Sequence, residues 1–590
     1  MLSRSLLRRI TTVALIAAGA APATAQFDQR WTGYTDGTAQ HLGVASTAVS
    51  GADAEVDFAV GDLDLDGDLD LVVARKEPWT TVGKRANLLL MNVGGVLTDQ
   101  TATFAAASDV VGDFGFLTPT NDRDVLVADV TADGWPEVVT AAAVSQGDPK
   151  HLSHPRVYLN LAAGGGAWAG LRYEDARIPQ LVVFGSGLVV GANACGIAAG
   201  DVTGDGSADL YVVDYDLGGG EGLNDLGDRL LVNDGFGFFS DQSQVRVPAS
   251  MLDSSFGTSA AIVDLNLDGQ RDIVKTMDGP VRVAYNTPTN VGVMSIVDTA
   301  YQQSAYHITP SDLNQDGRLD GIVSDDETDK ILINLGNDAV GRVIWDVSSF
   351  DFLTELDDGF ASNNRVADLD GDGWNDAIIA DVDVDISGCQ RRIHIYRNLG
   401  GTPGDVPVFR EERQSPNGGW VGAVGLEASD LKGGHDVAVF DVDGDSLLDL
   451  VLGRCDGTSV WIREATVAPT VCQTSLGGES DPAFELSVCG EPLATGGTAS
   501  LFLADLPLIG TTLLVAGLST NPTAWPGTSG TLLPTPTLVV PITFNAGHDF
   551  ALEIPGGGGP FSVYVQVLSN GVFPATGVRV SNAVRIDFLP

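Results

Sequence analysis

Asp62 to Val73 reads DLDLDGDLDLVV, a nine-residue acidic loop that runs straight into a β-branched strand. The pattern returns six times, starting at Asp129 (DVTADGWPEVV), Asp201 (DVTGDGSADLYVV), Asp264 (DLNLDGQRDIV), Asp312 (DLNQDGRLDGIV), Asp368 (DLDGDGWNDAII) and Asp441 (DVDGDSLLDLVL). The common form is D-x-[DNT]-x-D-G-x-x-[DE] followed by an apolar strand. One acidic turn is a weak signal, because Asx turns are common. Seven in register decide the fold class.

The motif starts lie 48 to 73 residues apart, so a fixed unit carries loops of variable length. A short apolar strand precedes each loop, as in Val56–Val60 or Val125–Ala128, and a second follows it, as in Leu69–Ala74. A third recurs at Asn87–Met91, Arg156–Asn160, Arg229–Asn233, Lys330–Asn334 and Ile393–Tyr396, and a Gly/Asn turn leads to a fourth, as in Gly237–Asp241. Four antiparallel strands repeated seven times predict a seven-bladed β-propeller, in which no blade buries its faces alone. A β-roll of calcium loops would have short repeats of fixed length, which the spacing does not show. The seventh repeat reaches Ser459–Arg463 and then meets Ala468-Pro469 without a fourth strand. The segment Phe27–Trp31 resembles the fourth strand of repeat three and is expected to supply the missing one, since an open ring would leave an unpaired edge.

From about Val467 the acidic loops stop, and alternating apolar segments recur at Ala483–Cys489, Ala499–Ala504, Thr512–Leu518, Thr537–Phe544, Phe561–Leu568 and Val578–Phe588. They predict a small C-terminal β-sandwich. At the other end, Arg4, Arg8 and Arg9, the apolar run Ile10–Ala21 and Ala23-Thr24-Ala25 read as a secretory signal peptide. The expected organisation is therefore 1–25 signal peptide, 26–465 propeller and 466–590 sandwich, in a protein secreted to an extracellular or periplasmic space. Among five cysteines, Cys472 with Cys489 is the expected disulfide and Cys389 with Cys455 a second, leaving Cys195 as a buried thiol. No CxxC or Cys/His spacing for zinc occurs. The formal charge of −46, more negative still once the leader's arginines are removed, opposes nucleic acid and anionic membrane as partners.

The loop has its own chemistry. Short oxygen-bearing side chains at positions 1, 3 and 5 turn toward one point, Gly at position 6 permits the turn, and a carboxylate at position 9 closes the cage. Hard oxygen donors of this number suit Ca²⁺. Clustered carboxylates without a cation would raise one another's pKa values and cost stability.

On these loops the chain resembles the FG-GAP/VCBS repeat proteins, whose members include the propeller of integrin α subunits. The resemblance covers about Phe27 to Glu464 and implies up to seven structural Ca²⁺ ions. It implies as ligands Asp62, Asp64, Asp66, Asp70; Asp129, Thr131, Asp133, Glu137; Asp201, Thr203, Asp205, Asp209; Asp264, Asn266, Asp268, Asp272; Asp312, Asn314, Asp316, Asp320; Asp368, Asp370, Asp372, Asp376; and Asp441, Asp443, Asp445, Asp449. Departures fall at Thr131 and Thr203, which are weaker third ligands, at the longer Glu137, and at Ser446, which replaces the turn Gly and predicts strain in loop seven. The Phe-Gly element before the loop survives only at Phe256-Gly257 and Gly359-Phe360.

The seven histidines are scattered, and no GxSxG, HExxH or P-loop occurs. The expected function is a binding or adhesion module for an extracellular glycan or protein, without a catalytic site. The alternative is a polysaccharide lyase or hydrolase built on the propeller. Ligand contacts are expected on the face opposite the acidic loops, with Trp79, Lys84, Arg85, His151, His154 and Tyr215 as candidates.

Overall fold

The computed structural model describes residues 32–588 apart from 44–54, 77–83, 144, 146, 164–166, 216–225, 255–258, 277–279, 304, 326–327, 351–359, 383–391, 412, 415–419, 422–425, 427–428, 465–472, 477–485, 491–492, 494–497, 504–509, 525–530, 543–549, 556–559 and 572–576. The signal-peptide segment, Phe27–Trp31, Trp79 and the Phe-Gly remnant at Phe256-Gly257 lie outside these residues. Two compact units divide the chain: one is Tyr34–Glu411 with Ser429–Arg463, the other Met1–Gly33, Glu412–Ala428 and Glu464–Pro590. Among the described residues no helix is long and apolar enough to cross a membrane.

The first unit is all-β and holds, among the described residues, seven antiparallel sheets in chain order. Their first strands are Glu55–Gly61, Asp122–Ala128, Ala194–Gly200, Ala260–Val263, Ala305–Ser311, Phe360–Ala367 and Gly434–Phe440. Each ends where an acidic loop begins, and each second strand opens on position 9 of that loop: Asp70, Glu137, Asp209, Asp272, Asp320, Asp376 or Asp449. The register is the same in all seven, with the residue before the loop paired to position 9, as in Gly61 with Asp70 and Phe440 with Asp449. Sheet 2 adds a fifth strand, Ala107–Ser108, parallel to Trp168–Tyr173.

The second strands are buried along most of their length; in Glu137–Ala142 every residue is. Sheet stacking is the cause. One apolar cluster joins Phe58, Leu71 and Val73 of sheet 1 to Ala438, Phe440 and Val451 of sheet 7. Others join sheets 1 and 2 through Val72, Leu89, Val138 and Tyr158, and sheets 2 and 3 through Val139, Val157, Leu210 and Leu231. Each fully buried aliphatic side chain of this kind contributes about 1.5–3 kcal/mol, and none does so within its own sheet alone. The first strands pack against one another in sequence, and that of sheet 7 returns to that of sheet 1. This cyclic stacking of four-stranded meanders is a propeller fold.

The ring closes through the N-terminal side of the chain, and the expected Phe27–Trp31 lie outside the described residues. Tyr34–Asp36 is the outer strand of sheet 7 and runs antiparallel to Gly457–Arg463, pairing Tyr34 with Arg463 and Asp36 with Trp461. The closing strand therefore starts seven residues beyond Phe27, the start of the segment that its resemblance to Phe239–Ser243 had suggested. A three-residue edge strand is too short to announce itself by alternation.

In the second unit, Leu486–Gly490, Thr498–Leu503 and Phe550–Pro555 form one sheet. Another contains Thr474–Ser475, Val584–Phe588, Phe561–Gly571, Gly510–Gly517 and Leu538–Ile542, with Gly577–Val580 on Phe561–Gly571. Leu486, Val488, Leu501 and Leu503 of the first share a core with Leu514, Val563, Val565, Val567, Val584 and Ile586 of the second. The expected single strand Val578–Phe588 is two, and Phe550–Pro555 was not anticipated. Cys455 is disulfide-bonded, and Cys195 carries a buried thiol outside any disulfide. Cys389, Cys472 and the side chain of Cys489 lie outside the described residues.

Candidate functional site

The seven acidic loops share one local architecture. In loop one the Asp62 carboxylate accepts the N–H groups of Asp66 and Gly67, both at 3.1 Å, and Asp66 accepts that of Asp68 at 3.0 Å. Asp70 accepts Leu63 N–H on one oxygen and Asn92 N–H on the other, both at 2.9 Å. The same bonds recur at Asp376, from Leu369 and Asn398 (2.9 and 2.8 Å), and at Asp449, from Val442 and Arg463 (2.8 and 2.7 Å). Position 9 thus ties the loop to its own third strand. In loop two Glu137 is held instead by Val130 and Thr131 N–H and by the Thr131 hydroxyl, the last at 3.2 Å.

The turn needs two left-handed residues, of which the sequence revealed one. Position 6 has positive φ in every loop: it is Gly in six of them, as at Gly67 (101°), and Ser446 (70°) in loop seven, where strain was expected. Position 4 is also left-handed throughout, and there Leu65, Ala132, Leu267 and Gln315 hold φ between 56° and 58°. Each such non-glycine residue costs roughly 1–2 kcal/mol and persists only where its surroundings impose it.

The carboxylates converge. Ligand-capable oxygens of Asp62, Asp64 and Asp66, of Asp368, Asp370 and Asp376, and of Asp441, Asp443 and Asp449 lie within 4.8 Å of one another in each group. Asp64 Oδ1 is buried without a hydrogen-bond partner, as is the Thr203 hydroxyl. Burial, aided by neighbouring carboxylates, pushes Asp70 up to about 7, Asp272 and Asp376 to about 8, and Asp320 and Asp449 to about 6. Glu137 rises to about 7, chiefly by burial. Oxygen-only donor sets, an orphaned carboxylate oxygen and mutual repulsion all suit a hard divalent cation.

Two features of the loops were not legible in the motif. Arg397, on the third strand of sheet 6, places Nη2 at 2.9 Å from Asp370 and 3.4 Å from Asp372. Arg318, at position 7 of loop five, pairs with Asp316. These two loops carry a protein cation beside the ligand set.

A second polar group lies three to five residues before the loops, on the first strands. Arg365 donates to Asp436 at 2.8 Å and stands 3.7 Å from Asp57, and Asn363 donates to Asp57 at 2.9 Å. Burial and then Asp436 hold the Asp57 carboxyl well above its usual range, and burial lifts Asp124 to about 6. The signal was present in the constant offset of Asp57, Asp124 and Asp436 from their loops.

Of the expected ligand contacts, His154 is corrected. It is 1% exposed, accepts Leu181 N–H at 3.0 Å, and burial lowers it to about 4; it is a neutral core residue. Lys84 is paired with Asp148 at 2.6 Å, Arg85 bridges Thr120 through its backbone, and the His151 carbonyl accepts the Arg156 guanidinium.

No family model matches the chain, and no curated protein does. Among solved structures it is similar to the Photorhabdus luminescens Tc holotoxin pore at 14% identity and a TM-score of 0.31, covering 85% of this chain and 21% of that one; it spans about a fifth of that protein. It is similar to the Dos1 propeller at 10% identity and a TM-score of 0.35, covering 73% and 94%. For Trypanosoma rangeli sialidase bound to the inhibitor DANA the values are 12% and 0.33, covering 81% and 94%.

Proposed function

We propose that the chain is a secreted seven-bladed calcium propeller of the FG-GAP/VCBS kind, followed by a small β-sandwich, that serves as a binding or adhesion module for an extracellular glycan or protein. The observation that carries the calcium reading is the convergence of carboxylates on a strained turn, with Asp64 Oδ1 buried and unpartnered. Positions 1, 3, 5 and 9 would hold the ion, which would supply charge neutralisation and fix the turn between the first and second strands. Both oxygens of most position-9 carboxylates already accept backbone N–H groups, which favours a structural over a catalytic ion. The seven-blade reading is supported by the closed cycle of first strands, and the sandwich by the core shared between two sheets.

Metal analysis of protein purified without chelator tests the cage, with at least four Ca²⁺ per chain expected; well under four overturns it. A glycan and matrix-protein binding screen, run with calcium and again with EDTA, tests the module. Calcium-dependent retention without turnover is expected, and release of unsaturated uronate from a pectin-type substrate would replace the module with a lyase.

A further inference from the structure

At one register of the third strand, six of the seven sheets carry an asparagine that reaches the acidic loop of the preceding sheet. Through Nδ2, Asn92 donates to the Val442 carbonyl (2.9 Å), Asn160 to Leu63 (2.7 Å), Asn233 to Val130 (2.7 Å), Asn286 to Val202 (2.8 Å), Asn334 to Leu265 (2.9 Å) and Asn398 to Leu313 (2.9 Å). Every accepting carbonyl belongs to position 2 of a loop. That residue's own N–H is the one held by the position-9 carboxylate, as Leu313 is by Asp320 (3.0 Å) and Leu265 by Asp272 (3.1 Å).

The asparagine's backbone N–H then donates to position 9 of its own sheet: Asn398 to Asp376 and Asn334 to Asp320, both at 2.8 Å. Asn92, Asn233 and Asn286 do the same to Asp70, Asp209 and Asp272, each at 2.9 Å. At these five sheets hydrogen bonds therefore run from one position-9 carboxylate through position 2 and the asparagine to the next, and they pass from sheet to sheet. At the seam the register is occupied by Arg463, whose N–H meets Asp449 at 2.7 Å and whose Nη2 stands 3.7 Å from where a Cβ on Gly371 of loop six would be.

We propose that these asparagines are positioning residues that couple each metal loop to its neighbours, so that the ions bind and leave in cooperating neighbours rather than site by site. The coupling rests on the calcium reading above. When an ion leaves, its carboxylates repel, and positions 2 and 9 are the parts that must yield. The asparagines are at most 3% exposed, so a displaced position 2 either carries its asparagine along or leaves a buried amide unpaired. In either case the neighbour's position-9 carboxylate is disturbed.

The test uses the full chain loaded with calcium, with metal content and peptide hydrogen exchange as readouts. Weakening loop five with Asn314→Ala, which removes a neutral ligand and leaves the carboxylates to repel, should speed exchange roughly fivefold in loops four and six, the factor expected for one lost hydrogen bond, and leave loop two unchanged. Adding Asn398→Ala cuts the link between sheets 5 and 6 alone; the effect of the loop-five change should then persist in loop four and vanish from loop six. Asn334→Ala gives the mirror image and serves if the first variant does not fold. Calcium bound by the wild type, with exchange confined to sheet 5 or raised equally around the ring, overturns the coupling and leaves the metal reading intact. A wild type without calcium overturns both.

Discussion

Removing calcium should invert the pH dependence of stability. In the ion-free protein Asp272 and Asp376 are pushed up to about 8 from an ordinary 3.8, by burial first and by neighbouring carboxylates after the opposing backbone hydrogen bonds. Between those values the folded state holds protons that the unfolded chain has released, so stability falls as pH rises. The penalty is absent below about pH 4 and complete above about pH 8. Each group contributes ~1.4 kcal/mol per pH unit at the full slope. Two groups across pH 5 to 7 amount to ~5 kcal/mol, or ~6 °C in melting temperature at ~2.1 cal/mol/K per residue for a unit of about 400 residues. The assay is scanning calorimetry in EDTA and in millimolar calcium at pH 5, 6 and 7. In EDTA the melting temperature should rise as pH falls. In calcium it should fall, because protons then compete with the ion for the same oxygens. A chelated protein whose melting temperature is flat or rises between pH 5 and 7 would refute the account of the loops.

Three further outcomes follow from described contacts. Ser446→Gly removes a left-handed non-glycine residue at φ 70° and should stabilise loop seven by about 1 kcal/mol, read as a higher melting temperature. Asp228→Asn removes the carboxylate paired with the fully buried Lys275 and should cost about 3–5 kcal/mol in denaturant unfolding; a loss under 1 kcal/mol would refute the importance of this buried pair. Deleting Tyr34–Asp36 uncovers the edge of Gly457–Arg463 and should produce concentration-dependent association by light scattering, whereas a monomer of unchanged stability would show that the closing strand contributes nothing.

The acidic loops were legible because their chemistry lies within nine consecutive residues. Gly at position 6 marked one left-handed site, but Leu65 and Gln315 at position 4 carry no such mark; there the fold overrides local preference. The third-strand asparagines stood in view at Asn160, Asn233 and Asn334, yet their partners Leu63, Val130 and Leu265 lie in neighbouring sheets, and no local pattern joins them. His154 was misjudged for a related reason. A histidine in KHLSHP looks like a loop residue until Leu181 closes over it.

Pairing Tyr34 with Arg463 makes one short clasp join the two ends of the unit. The first residues of the unit must wait for its end, and bringing together points about 430 residues apart costs roughly 5 kcal/mol of chain entropy. A nascent chain carries an uncovered edge at neither terminus alone but at a join that does not yet exist. Once shut, the same clasp holds the first and last strands of the unit in register.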